Sequence, residues 1–375
     1  PELNASADGE RVRLHPLVRA YAQQRLREWE PAARASVQRA VAAWYAEYVN
    51  QAPDASLVPD EANIAAALEE AHAQGQDAPV ANMCNGMAGY WRDRSRTDAR
   101  RRYLPWGLEA AQRLADASGE REDRLLLARL QLSYGELQEL LGQIGEAQSY
   151  FEQSLAAGRQ LDDLRGEGVA LSLLGDLLVQ RGDLAGAEAN YAHYLAIMEE
   201  LGIPRSVGIA LSLLGDLLVR RGDLAGAEAN YARYLAIMQQ VGDTREEGVA
   251  LAKLGDLLVQ RGDLAGAEAN YSRVLAIMRQ VGDRKGEGVT LYQLALMAER
   301  GGDLDRAEML HRESLAIAIN VQDVRDTADS YAYLGEFLIT QRGKREEGCT
   351  MLTEAARLYD AMGVAGGEDA RAAMR

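Results

Sequence analysis

Cysteine, histidine and proline are all scarce in this 375-residue chain, at two, four and eight residues. Cys84 and Cys349 fit neither a disulfide framework nor a zinc spacing. His15, His72, His193 and His311 are too scattered to form a catalytic cluster by spacing. No stretch approaches 18 consecutive apolar residues, which excludes a membrane-spanning helix, and no basic-apolar leader opens the chain. Positive charge is short as well. The 41 Lys+Arg against 57 Asp+Glu leave a formal charge of −16, which repels a phosphate backbone and argues against direct nucleic-acid binding. No G-x-x-x-x-G-K-[ST] occurs: the only Gly-Lys pair, Gly343-Lys344, is followed by Arg345, so this chain cannot hold a nucleotide through a P-loop. What remains, 47% hydrophobic and 26% charged, is a globular chain long enough for roughly two to three ordinary domains. We expect it to be cytoplasmic and, because Pro1 stands where Met is usual, a monomeric piece of something longer.

The segment beginning at Gly168 returns from Gly208 and again from Gly248 with few changes, a period of 40 residues. Looser copies extend the series: Gly142, Gly182, Gly222, Gly262 and Gly302 keep the spacing, and Gly343 follows after one inserted residue. The period predicts six units over 126–365. Inside one unit, Leu171, Leu174 and Leu178 recur at helical spacing and Arg181-Gly182-Asp183 interrupts. The helical period then resumes through Leu184, Ala187, Tyr191, Leu195 and Met198. Each unit therefore reads as helix-turn-helix. The glycine can take the left-handed conformation that ends the first helix, and Asp183, Asp223 and Asp263 can cap the second. Asp243 and Glu246 stand at capping-box spacing between units.

Small residues at fixed offsets permit close packing: Gly135, Gly175, Gly215, Gly255, Ala295 and Gly335 in the first helices, and Ala147, Ala187, Ala227, Ala267 and Ala307 in the second. Phe151, Tyr191, Tyr231 and Tyr271 follow four positions after the alanines and read as core; His311 takes that position once. A Leu-Gly pair, then Ala, then an aromatic closely resembles the tetratricopeptide repeat, in its longer 40-residue form with Gly-Asp turns. The resemblance implies an all-α, right-handed α-solenoid. Tyr194 and Tyr234 depart from it, standing where the family usually has a small residue.

On the register the resemblance implies, the groove face of the first helices carries the column Glu136, Asp176, Asp216, Asp256, Leu296 and Glu336. Beside it lie Val169, Ile209 and Val249, then Ser172, Ser212, Ala252 and Tyr292, then Gln180, Arg220, Gln260 and Arg300. Such a stripe suits a cationic or amine-bearing partner. It suits neither a metal nor a catalytic pair. Helices pack about 8–10 Å apart, too far for one ion to bridge neighbouring repeats, and identical positions offer no two unlike environments for acid and base. No enzyme is expected in this chain.

Residues 31–125 are helical in pattern without the repeat, through Ala33–Asn50, Asp60–Gln74, Pro79–Arg94 and Thr97–Ser118, and read as two degenerate hairpins forming an arm. Arg92, Arg94, Arg96, Arg100, Arg101 and Arg102 form the one dense basic run, near Trp91, Tyr103 and Trp106; we read it as a solvated helix end. In residues 1–30 a strand-like piece around Arg11-Val12-Arg13 turns through Leu14-His15-Pro16 into an amphipathic helix. This resembles the end of the winged-helix domain of STAND proteins, signal-transduction ATPases with numerous domains, and Glu61–Ile64 resembles the helical segment that follows it. The resemblance implies that His15 senses bound ADP, that an upstream module in cis holds ATP or ADP with Mg, and that this chain itself needs no cofactor. Residues 366–375 read as a tail.

Two functions compete on these observations. In the first, the repeats bind a protein, peptide or small-molecule inducer in a concave groove and thereby release an autoinhibited ATPase. The alternative is a constitutive scaffold without a switch.

Overall fold

The computed structural model describes residues 4–5, 12–13, 25, 28–52, 57–364 and 366–374. Two short strands, β1 (Asn4–Ala5) and β2 (Val12–Arg13), pair antiparallel with Asn4 opposite Arg13. Val12 and Arg13 are thus strand, as their sequence suggests; Leu14, His15 and Pro16 lie outside the described residues. All other regular structure among the described residues is helical.

The chain divides into two compact units, Pro1–Asn190 and Tyr191–Arg375. The first opens with the arm: α1 (Pro31–Gln51), α2 (Glu61–Ala73), α3 (Asp77–Asp93) and α4 (Thr97–Ser118). It continues with α5 (Arg121–Leu140), α6 (Ile144–Gln160), α7 (Leu164–Gln180) and the start of α8 (Leu184–Glu200). The second holds the rest of α8, then α9 (Pro204–Arg221), α10 (Leu224–Val241), α11 (Thr244–Arg261) and α12 (Leu264–Val281). It ends with α13 (Arg284–Arg300), α14 (Leu304–Val321), α15 (Val324–Thr340), α16 (Arg345–Met362) and α17 (Gly367–Ala373). The fold is an all-α solenoid of helix-turn-helix repeats.

Every break expected at Gly142, Gly182, Gly222, Gly262, Gly302 and Gly343 is present, each glycine with φ between 64° and 82°. The α9–α10 turn shows why. Gly222 N–H donates to Val219 O at 3.0 Å and Asp223 N–H to Leu218 O at 2.9 Å, the paired bonds that close a helix through a left-handed residue. Asp223 then caps α10, its Oδ1 accepting from Gly226 N at 2.9 Å. One Gly-Asp dipeptide therefore satisfies backbone groups of two helices. The turn between units works alike at Asp243, whose side chain accepts from Glu246 N at 3.2 Å. The full capping box does not form, because Asp243 N–H is already committed to Met238 O and the Glu246 carboxylate accepts from Tyr234 instead. Pro204 opens α9, where its missing N–H costs nothing.

Two of the between-unit turns put a side chain where glycine belongs: Asp162 at φ 52° and Gln322 at φ 62°. A left-handed residue with a Cβ costs about 1–2 kcal/mol, somewhat less for Asp. Set against the chain entropy glycine adds to the unfolded state, Gln322→Gly should stabilise the second unit by about 0.5–1 kcal/mol. Asp162→Gly should gain less. Urea midpoints check both, and an unchanged or lower midpoint for Gln322→Gly would refute the account.

Within a unit the second helix lays its ring over the glycine of the first. A Cβ on Gly135 would meet Phe151 Cε1 at 2.5 Å, and one on Gly215 would meet Tyr231 Cε1 at 2.3 Å. In the arm, α3 and α4 form a hairpin, but α1 packs mainly on α3 rather than α2, because Gly86 admits the Val49 side chain. The expected first hairpin is thus opened. The expected tail includes a helix, α17, whose buried Ala370 joins the core of α16.

Candidate functional site

The groove column is less free than its sequence suggests. In the second unit, Asp216 Oδ1 accepts from Tyr231 OH at 2.6 Å and from Lys253 Nζ at 2.7 Å. Asp256 Oδ1 accepts from Tyr271 OH at 2.5 Å. Burial first, and then these bonds, push both phenols well above the ordinary tyrosine range. The carboxylates therefore lock the core ring of the second helix to the first, and packing does use this face. Asp256 is nevertheless exposed and Asp216 half-exposed, so unoccupied lone pairs still face outward. Lys253 also lies 5.6 Å from the Tyr231 ring centroid; sequence reasoning had passed over it.

One unit breaks the pattern in both partners at once. Leu296 replaces the acid and His311 replaces the tyrosine. His311 lies between the rings of Tyr292, at 5.9 Å, and Phe337, at 5.2 Å, with Nε2 buried and unpartnered and Glu299 4.0 Å away. Glu336 is exposed on α15. Arg220, Gln260 and Arg300 are exposed, and Ser212 and Tyr292 half-buried, so these five do reach the surface.

In the first unit, Ser172 and Asp176 are half-buried and Gln180 is exposed. Glu136 is drawn away from a ligand role: it pairs with Arg92 at 3.2 Å and Arg100 at 3.8 Å, while burial raises its carboxyl pKa. The basic run is more than solvated. Arg96 pairs with Glu61 and Arg102 with Glu69, both at 2.9 Å, while Arg94 lies over the Tyr90 ring. Four of the six arginines, Arg92, Arg96, Arg100 and Arg102, are thus paired with acids.

Beside the acids runs an apolar column. Ile209, Val249 and Val289 occupy equivalent positions on α9, α11 and α13 and are 40%, 38% and 51% exposed. A cavity of about 210 Å³ opens beside Val289 and Tyr292, and also touches Lys285, Ser314, Asp326 and Tyr333. Of these, only Tyr292 was picked out from the sequence.

Helix pairs at a 40-residue period, a left-handed glycine in the turn of each, and one striped face define a helical-repeat protein. The tetratricopeptide repeat family model matches residues 126–200, 166–240, 206–280 and 246–320, more than half of the chain. The chain belongs to that family. No curated protein matches it in sequence. Among solved structures, a STAND protein with a tetratricopeptide repeat sensor from Pyrococcus horikoshii is similar in fold, with a TM-score of 0.64 at 13% identity. That match covers 93% of this chain and 52% of the other, so the chain spans about half the length of that protein. BtubC from P. vanneervenii gives a TM-score of 0.54 at 20% identity over 60% of this chain and 92% of that one. The apo form of RapI gives 0.52 at 12% identity, over 76% and 98% respectively.

Proposed function

We propose that this chain is the ligand-sensing, autoinhibitory repeat domain of a STAND ATPase of the cytoplasm. In this reading a protein, peptide or small-molecule signal binds along the first helices, and an upstream module in cis holds ATP or ADP with Mg. The observation that carries the binding role is the exposed apolar column Ile209, Val249 and Val289 running beside the acids Asp216 and Asp256. β-Branched side chains left in water at one register of successive helices gain from being covered. Packed helices lie about 8–10 Å apart and an extended peptide advances about 3.3 Å per residue, so every third ligand residue meets a new helix. The acids beside the column favour a basic residue between apolar ones. The sensor role draws on Leu14-His15-Pro16 ahead of the helical array.

The binding test is an array of basic, apolar decapeptides, followed by titration of the best binder. Joint replacement Asp216→Asn and Asp256→Asn keeps an acceptor for Tyr231 and Tyr271 while deleting two charges. Affinity should fall about tenfold, roughly 1.4 kcal/mol, and wild-type binding should weaken with salt. Equal affinities would remove the acids from the site. For the sensor role, His15→Ala in the full-length protein should loosen ADP and raise basal activity without inducer. Unchanged ADP affinity would end the STAND reading.

A further inference from the structure

The second unit fills one interior slot in three ways. Between α9, α10 and α11 the slot holds the fully buried Tyr234, whose ring lies so close to Gly208 that a Cβ there would meet Tyr234 Cδ2 at 2.7 Å. The Tyr234 hydroxyl donates to Glu246 in the first turn of α11, and Met238 fills the rest of the slot against the same glycine. One repeat later Val274 replaces the tyrosine; Met278 still reaches Gly248 and Gly286 and keeps the slot closed. One repeat later again both fillers are gone. Ser314 and Ala318 stand in place of Tyr234 and Met238, Gly288 in place of Gly208, and Asp326 in place of Glu246.

The cavity of about 210 Å³ is that emptied slot. Gly288, Ser314, Ala318 and Asp326 all line it. Ser314 cannot fill it, because its hydroxyl turns back to donate to Gly288 O at 2.8 Å. The first repeat also carries a serine here, Ser154, but Gly158 follows it where Ala318 stands, and α6 comes so close to α7 that a Cβ on Gly158 would lie 3.0 Å from Glu167 N. There the close approach of the helices at Gly158 takes up space that a ring fills elsewhere. Around Ser314 the Ala318 methyl group lines the open space, and on the groove side Tyr292 and Tyr333, 4.5 Å apart, form an aromatic wall.

We propose that this cavity is a socket for an aromatic ring bearing a hydrogen-bond donor, a phenol that takes the place of the tyrosine ring the neighbouring repeat supplies for itself. Its ring lies against Gly288, Ile317 and Ala318. Its hydroxyl donates to Asp326, which Lys285 holds in place from 3.2 Å. A dry cavity of about 150 Å³ already admits benzene, so a ring with two small substituents fits the larger space of about 210 Å³ here. That the phenol is part of the groove's signal rests on the reading given under Proposed function; the socket itself does not.

The probe is p-cresol, the tyrosine side chain as a free molecule, titrated into the chain by calorimetry and ligand-observed NMR. It should bind with a Kd of about 1 mM or tighter. Toluene, of similar shape without the donor, should bind about fivefold more weakly. Ser314→Tyr and, separately, Ala318→Met restore residues that the same slot holds elsewhere. Each should lose p-cresol affinity by about tenfold or more while circular dichroism shows the helices intact. If Ser314→Tyr does not fold, Ala318→Met decides alone. No saturable p-cresol binding, or unchanged affinity in the filled variants, overturns the socket. Equal affinities for toluene and p-cresol overturn the donor requirement and the assignment of Asp326. The groove can fail separately: decapeptide binding indifferent to Asp216 and Asp256, with p-cresol bound as expected, removes the groove and leaves the socket.

Discussion

Gly335→Ala should destabilise the last repeat by about 2 kcal/mol, whereas Gly89→Ala should stabilise the arm by about 0.5–1 kcal/mol. The chemical change is the same and the sign reverses. Helices α15 and α16 meet through two facing glycines: a Cβ on Gly335 would lie 2.9 Å from Gly348 O and 3.1 Å from Leu352 N, and one on Gly348 would lie 2.7 Å from Gly335 O. Those neighbours are backbone, so a helix axis must move. Overpacking of this kind costs about 1–3 kcal/mol, and the better helix propensity of alanine returns about 1 of it; rigid backbone neighbours place the gross cost at the upper end. Gly89 lies inside α3 with nothing within 4 Å of the added methyl group, so there only the propensity gain remains. Hydrogen exchange, read separately for α15–α16 and for α3, measures both. Equal effects of the two substitutions would refute the packing argument.

The second large effect is a loss of stability on mild acidification through His311. Burial lowers its pKa to about 4, against 6.5 in water, so the folded state holds the imidazole neutral. The unfolded chain therefore binds the proton more readily than the folded one. The stability is complete above pH 6.5 and is lost as pH falls towards 4, by about 2 kcal/mol at pH 5. Glu308 acts in a lower window. Burial would raise its pKa, but Lys344 and Arg312 outweigh that and hold it at about 2, so its contribution fades only below about 4.5. Glu299, raised by burial, works in the opposite direction and blunts the effect. His311→Phe, the residue Phe151 supplies in the first repeat, removes the titration. Denaturation at pH 7 and pH 5 should show a clear loss in the wild type and almost none in the variant; parallel losses would exclude His311 as the source.

The repeats and their turns were legible because each rests on a residue whose local physics is nearly unambiguous. A glycine before aspartate at a constant spacing ends one helix and caps the next, whatever surrounds it. Side-chain pairing across the unit was not legible. Asp216 and Tyr231 are 15 positions apart, as are Asp176 and Tyr191 and Asp256 and Tyr271, but only the crossing of the two helices shows that Asp216 and Tyr231 meet. The joint change to Leu296 and His311 was visible as two separate oddities, and its meaning as the loss of one hydrogen bond required the fold. Tyr194 and Tyr234 were noticed as departures from the family pattern. In the second unit Tyr234 marks a filled slot, and the ordinary-looking Ser314 marks the empty one.

The series Tyr234 with Met238, Val274 with Met278, and Ser314 with Ala318 has a consequence for how such an array changes over time. Duplication hands every repeat the same internal compartment, already walled by its neighbours, and the side chains at two positions decide whether it is vacant. Emptying one compartment and filling the next requires no new loop, no new helix and no change in the turns. A binding position can thus migrate along the chain in steps of 40 residues by point substitution alone. Spare repeats then carry a supply of sites that are built but shut.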